Sequence, residues 1–144
     1  MFDLLFERAP DGRIYLEWLL SGLGWTLALA FFGWCFAFVI GVVVGIGRCQ
    51  RDGKLAIAAR LYVEIFRNIP LLVQLFLWYF VLPEVLPATL GERLKQIAPP
   101  WGSFLPALLC LSFYTAARIA EQVRAGIEAL PGGQGEAAAA LGLG

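Results

Sequence analysis

The sequence predicts an all-α membrane protein with three transmembrane helices. Three observations carry this: a strongly apolar composition, three long stretches without charge, and an uneven distribution of basic residues between the loops. Of 144 residues, 60% are hydrophobic and 15% charged, with mean hydropathy +0.74. Soluble domains carry about 25% charged residues, so folding in water would leave too much apolar surface exposed.

The first uncharged stretch runs from Trp18 to Gly47, bounded by Glu17 and Arg48. About 20 apolar residues cross a bilayer core, so it spans with length to spare. It is not a signal peptide, because Asp3, Glu7, Asp11 and Glu17 outnumber Arg8 and Arg13 ahead of it, whereas a signal peptide opens with positive charge. A retained helix over about 20–47 is expected, after an external segment over 1–17. Gly41 and Gly45 form a G-x-x-x-G pattern. It serves close packing within the subunit or dimerisation.

The second stretch, Asn68–Pro83, has only 16 residues. To span, its helix must borrow length from Leu61–Arg67 or continue past Glu84; a helix over about 62–83 is expected. Pro70 fits a first turn, where its missing N–H costs nothing, and Trp78, Tyr79 and Phe80 suit an interfacial aromatic belt. The third stretch, Gln96–Ala117, opens with Pro99 and Pro100. Its helix is expected over about 103–130, ended by Pro131.

Orientation follows from the loops. Arg48, Arg51, Lys54, Arg60 and Arg67 lie between the first two stretches, whereas Glu84, Glu92, Arg93 and Lys95 follow the second. The positive-inside rule puts the first loop in the cytoplasm and the N-terminus outside. Residues after the third helix are then cytoplasmic.

Several function classes fall away. The 11 basic and 11 acidic residues leave no net charge for binding nucleic acid. No histidine is present, which removes the commonest general base and metal ligand. The apolar stretches hold no paired aspartates and no H-E-x-x-H, so an intramembrane enzyme has no catalytic residues to use. No phosphate loop exists for ATP hydrolysis. Cys35 and Cys110 read as small hydrophobes. No catalytic residue, metal site or cofactor is expected.

Gln134-Gly135-Glu136-Ala137-Ala138-Ala139-Ala140-Leu141-Gly142 reads locally as a short alanine-rich helix ended by glycine. Glu136, Ala137, Ala138 and Gly142 also resemble the E-A-A-x-x-x-G signature of ABC importer permeases. In that family the segment forms a cytoplasmic coupling helix docked on the ATPase, where the charge argument independently places it. The stretch Leu61-Tyr62-Val63-Glu64-Ile65-Phe66-Arg67-Asn68-Ile69-Pro70-Leu71-Leu72-Val73-Gln74 is similar to the Y-x-E-x-F-R-x-x-P-x-L-x-Q segment of polar amino-acid permeases. Thr115 to Gln134 resembles their lead into the coupling loop, and Leu20, Gly22, Thr26 and Leu27 the start of their first helix.

The resemblance implies a type I ABC importer transmembrane helical bundle, with three transmembrane helices and the start of a coupling helix from about residue 134. It further implies a multi-pass permease subunit of the bacterial inner membrane, in the branch nearest the glutamate/aspartate permeases. The implied partners are an ATPase subunit, a second permease of the same or a homologous kind, a solute-binding protein, an amino-acid substrate and membrane lipid. Mechanistically it implies alternating access, with Glu136 meeting a basic residue of the ATPase and Gly142 allowing close backbone approach. Family members continue beyond the coupling loop for two further helices, so a fragment or truncated product is expected. Permeation of glutamine or a basic amino acid, and a non-transporting scaffold, are the rival readings.

Two polar residues within the helices stand out. Gln74 lies one turn into the second stretch and either bonds a neighbouring helix or lines the translocation path. Arg118 either pairs with Glu121 at (i, i+3) or serves the path. Arg60, Glu64 and Arg67 read as interfacial anchors or as ion-pair partners at the base of the bundle.

Overall fold

The computed structural model describes residues 6–7, 12–50, 53–129 and 140–142. Its elements are helices: α1 Tyr15–Cys49, α2 Lys54–Asn68, α3 Leu71–Phe76, a π-helical turn Leu77–Val81, α4 Leu82–Val85, α5 Ala88–Lys95 and α6 Trp101–Glu128. No strand occurs among the described residues. The all-α membrane fold predicted from the sequence is the fold observed.

Helix α1 has 35 residues and is therefore about 52 Å long, well above a hydrocarbon core of about 30 Å. Glu17 lies in its first turn and Arg48 in its last, each at the end of the helix dipole that favours its charge. Gly33, Ala37, Gly41 and Gly45 recur every four residues and form a buried seam. That seam meets α6. A Cβ on Gly33 would touch Leu111, one on Gly41 would meet Ile119 and Ala116, and one on Gly45 would meet Val123 and Ala120. The pattern therefore serves packing within the chain.

These pairings advance together along both helices, so α1 and α6 run parallel. Trp25 packs edge-on against Trp101 and Phe104 at the start of α6, and Arg48 meets Glu121 near its end. The intervening residues must return the chain from the Arg48 end to the Trp25 end.

The return path differs from the single helix expected over about 62–83. Helix α2 starts earlier, at Lys54, and stops at Asn68; the axis then turns by 105° into the helical stretch Leu71–Val85. Proline 70 is the cause. It cannot donate to the carbonyl of Phe66, and its ring forces the preceding residue out of helical geometry; Ile69 is extended, with φ −90° and ψ 124°. Residues 61–67 thus lengthen a separate helix and not the apolar one. Among the described residues two helices are long and apolar enough to cross a membrane, α1 and α6, and a third span exists if the bent pair counts as one.

The loop over 84–102 contains a helix, α5, where the sequence predicts none. Gly91 of α5 lies so close to the Pro83 carbonyl that any side chain there would collide with it, and Lys95 bonds Glu84 at 2.6 Å. Helix α6 starts at Trp101, two residues before the expected point, with Pro100 as its N-cap residue.

The buried apolar cluster is small: Val63, Ala117 and Ala120, with Val44, Tyr62 and Phe66 packed on it. Large side chains such as Phe31, Trp34, Val39 and Val43 lie exposed along α1.

Candidate functional site at the charged end of the helices

At the Arg48 end, Glu121 of α6 gathers arginines from three helices. It accepts hydrogen bonds from Arg48 of α1, from Arg67 of α2 at 3.1 Å, and from Arg124 of α6 at 2.7 Å. Arg124 also bonds Glu128 at 2.5 Å, one turn on. Arg48 is the most enclosed of these, with its side chain 14% exposed. One carboxylate thus ties α1, α2 and α6 together where the uncharged stretches end. Tyr62 adds a further tie, donating to the Phe113 carbonyl at 2.7 Å.

The i, i+3 pairing read for Arg118 is not formed. Arg118 instead lies 4.6 Å over the Tyr114 ring and bonds its hydroxyl, because Glu121 faces α1 and α2. A cation over an aromatic face gains electrostatically from the ring's negative side.

Gln74 is 2% exposed. Its Nε2 donates to the Phe66 carbonyl at 2.8 Å and to the Ile69 carbonyl at 2.9 Å. In an uninterrupted helix the Phe66 carbonyl would receive the N–H of residue 70, which is proline. The side-chain amide replaces the missing donor and staples the bend between α2 and α3. Its Oε1 is buried without a partner among the described residues.

Glu136, Ala137 and Ala138 lie outside the described residues. Gly142 is described: its φ of +72° is in the left-handed region that favours glycine, directly after Ala140 and Leu141. Among the described residues no three His, Cys, Asp or Glu side chains are grouped to hold a metal ion.

Of this cluster, the sequence indicates only Arg67, as an ion-pair partner at the base of the bundle. Two of the partners of Glu121 are 73 and 54 residues away, and local spacing points to Arg118 as readily as to Arg124. The usable signal was that Arg48, Arg67 and Arg118–Arg124 each border an uncharged stretch, so all lie at one membrane level with Glu121 among them.

A family profile described as "Binding-protein-dependent transport system inner membrane component" matches residues 37–144. The chain belongs to this family. It is 46% identical to the glutamate/aspartate import permease protein GltJ of Escherichia coli (strain K12), over 99% of this chain and 58% of that protein. Similarity to the arginine transport system permease protein ArtQ of Bacillus subtilis (strain 168) is 33% identity, over 89% of this chain and 53% of the relative. The putative glutamine transport system permease protein GlnP of Rickettsia felis is 31% identical, over 99% and 59%. A chain in the crystal structure of "an amino acid ABC transporter with histidines" superposes with a TM-score of 0.70 at 31% identity, covering 90% of this chain and 55% of that one. The chain spans about half the length of the curated relatives it matches. As members of a permease family, these proteins are transport components, not enzymes.

Proposed function

We propose that this chain belongs to the permease subunit of an ATP-driven amino-acid importer and serves glutamate and aspartate. The observation that carries this reading is the 46% identity to a glutamate/aspartate permease across nearly the whole chain, against 33% and 31% for the arginine and glutamine permeases. Its partners are a separate ATPase subunit, a second permease subunit and a solute-binding protein. The segment over residues 134–142 docks the ATPase, with Glu136, Ala137, Ala138 and Gly142 forming the contact. The basic residues between α1 and α3 support a cytoplasmic position for the Glu121 cluster and an outside N-terminus.

In this reading Glu121 makes α1, α2 and α6 move as one body when the ATPase pulls on the segment after α6. Gln74 holds the bend of the middle span as that body rocks, and Arg118, nearer the cytoplasm than the midplane, borders the translocation path. The rival glutamine or basic substrates are separated by competition. In cells carrying the complete transporter, about a tenfold excess of unlabelled aspartate is expected to leave about one-tenth of labelled glutamate uptake, as for competitors of equal affinity. Glutamine and arginine at the same excess leave uptake unchanged. Suppression by glutamine or arginine with no effect of aspartate would reassign the substrate.

A further inference from the structure

Beside the Glu121 cluster is a cavity of about 560 Å³ whose polar lining is Arg48, Arg60, Glu64, Arg67, Asn68 and Glu121. Three guanidinium groups face it against two carboxylates, and Glu121 is already taken up by Arg48, Arg67 and Arg124. Two of the charged groups have spare capacity. Arg60 makes one long bond, 3.5 Å to the Gln50 carbonyl, and Glu64 has no hydrogen bond or ion pair among the described residues. The cavity therefore offers unspent cationic donors beside an unspent carboxylate.

Its surroundings are apolar on one side. Ile57, Leu61 and Ile65 form a row along α2 and are 65%, 56% and 44% exposed. Arg60 follows Ile57 by three residues and Glu64 follows Leu61 by three, so the charged flank and the aliphatic row are neighbours on one helix surface. Arg48 ends the uncharged stretch of α1, which puts the cavity at the level where hydrocarbon gives way to headgroups.

We propose that this cavity binds the headgroup of a zwitterionic aminophospholipid. The phosphate accepts hydrogen bonds from Arg60 and Arg67, the ammonium faces Glu64, and an acyl chain lies along Ile57, Leu61 and Ile65. Guanidinium forks suit phosphate oxygens, and burial of chain methylenes adds to binding. A free amino acid would satisfy the charges but would leave the adjoining aliphatic row unused. The lipid therefore accounts for both halves of the surface.

The test is native mass spectrometry of the full permease complex, released from detergent containing equal amounts of phosphatidylethanolamine and phosphatidylglycerol. Wild type is expected to retain phosphatidylethanolamine in preference. Arg60→Gln lowers that retention about tenfold, as the loss of one charge-assisted hydrogen bond requires. Glu64→Gln keeps lipid bound but erases the preference between the two headgroups. Neither side chain belongs to the Glu121 cluster, so both variants keep the fold. Wild-type behaviour in either variant overturns the proposal. So does displacement of the lipid by free phosphoethanolamine or by glutamate, which would assign the cavity to a soluble ligand.

Discussion

Gly41→Leu is expected to separate α1 from α6 and to lower the stability of the helical bundle by about 1–3 kcal/mol, the usual cost of overpacking a well-filled interface. A Cβ on Gly41 would stand 2.7 Å from the Ile119 side chain and 2.9 Å from the Ala116 carbonyl oxygen. The side chain could turn aside, but the carbonyl is fixed in the α6 ladder, so the helices must move apart. Separation costs more than one contact, because Gly33 and Gly45 share the seam and lose their close approach at the same time. Gly24→Leu is the matched control: a Cβ there meets nothing within 4 Å, and its effect is expected within about 0.5 kcal/mol. Thermal unfolding of the detergent-solubilised protein measures both. Equal melting of the two variants would show that the seam does not hold the helices together.

Glu121→Ala carries the second large effect. It leaves Arg48, Arg67 and Arg124 facing one another without their shared carboxylate, and removing one partner of a buried ion pair costs about 3–5 kcal/mol. The cluster is partly open, with Glu121 25% and Arg67 50% exposed, so about 2–3 kcal/mol is expected once solvent screening is allowed for. Most of the loss arises at Arg48, whose side chain is the most enclosed. Adding Arg48→Met to Glu121→Ala should therefore recover part of the stability, and the double-mutant cycle gives a coupling of about 1–3 kcal/mol. Additive effects would mean that Arg48 and Glu121 are neighbours without being an energetic pair.

Much of this architecture was legible in residue order. The uncharged stretch Trp18–Gly47 defines α1 nearly to its ends, and the Gly41-x-x-x-Gly45 spacing already indicates close packing. Pro70 was legible as a start signal. Its second consequence was missed, since the same ring that begins α3 also strips Phe66 of its donor and turns the chain by 105°. Gln74, four residues later, is the compensating signal: an amide one turn inside an apolar helix that follows proline. Helix α5 was obscured by its polar, interrupted sequence. What brings its helix against α4 is the missing side chain at Gly91, a tertiary fact that periodicity does not carry. The Glu121 cluster was illegible for a different reason. A side chain's choice among several nearby arginines depends on which way its helix face turns, and that is settled by the glycine seam far along the chain.

Residues 134–142 are proposed to dock an ATPase, and co-purification of the full permease with that subunit is the test. Glu136→Ala removes the charge offered to a basic partner, and Gly142→Arg puts a bulky side chain where φ is +72°, a conformation costly for any residue but glycine. Both variants are expected to insert in the membrane as wild type does and to release the ATPase. An ATPase that stays bound to both, or that never binds the wild-type permease, would rule out docking through this segment and favour a membrane scaffold.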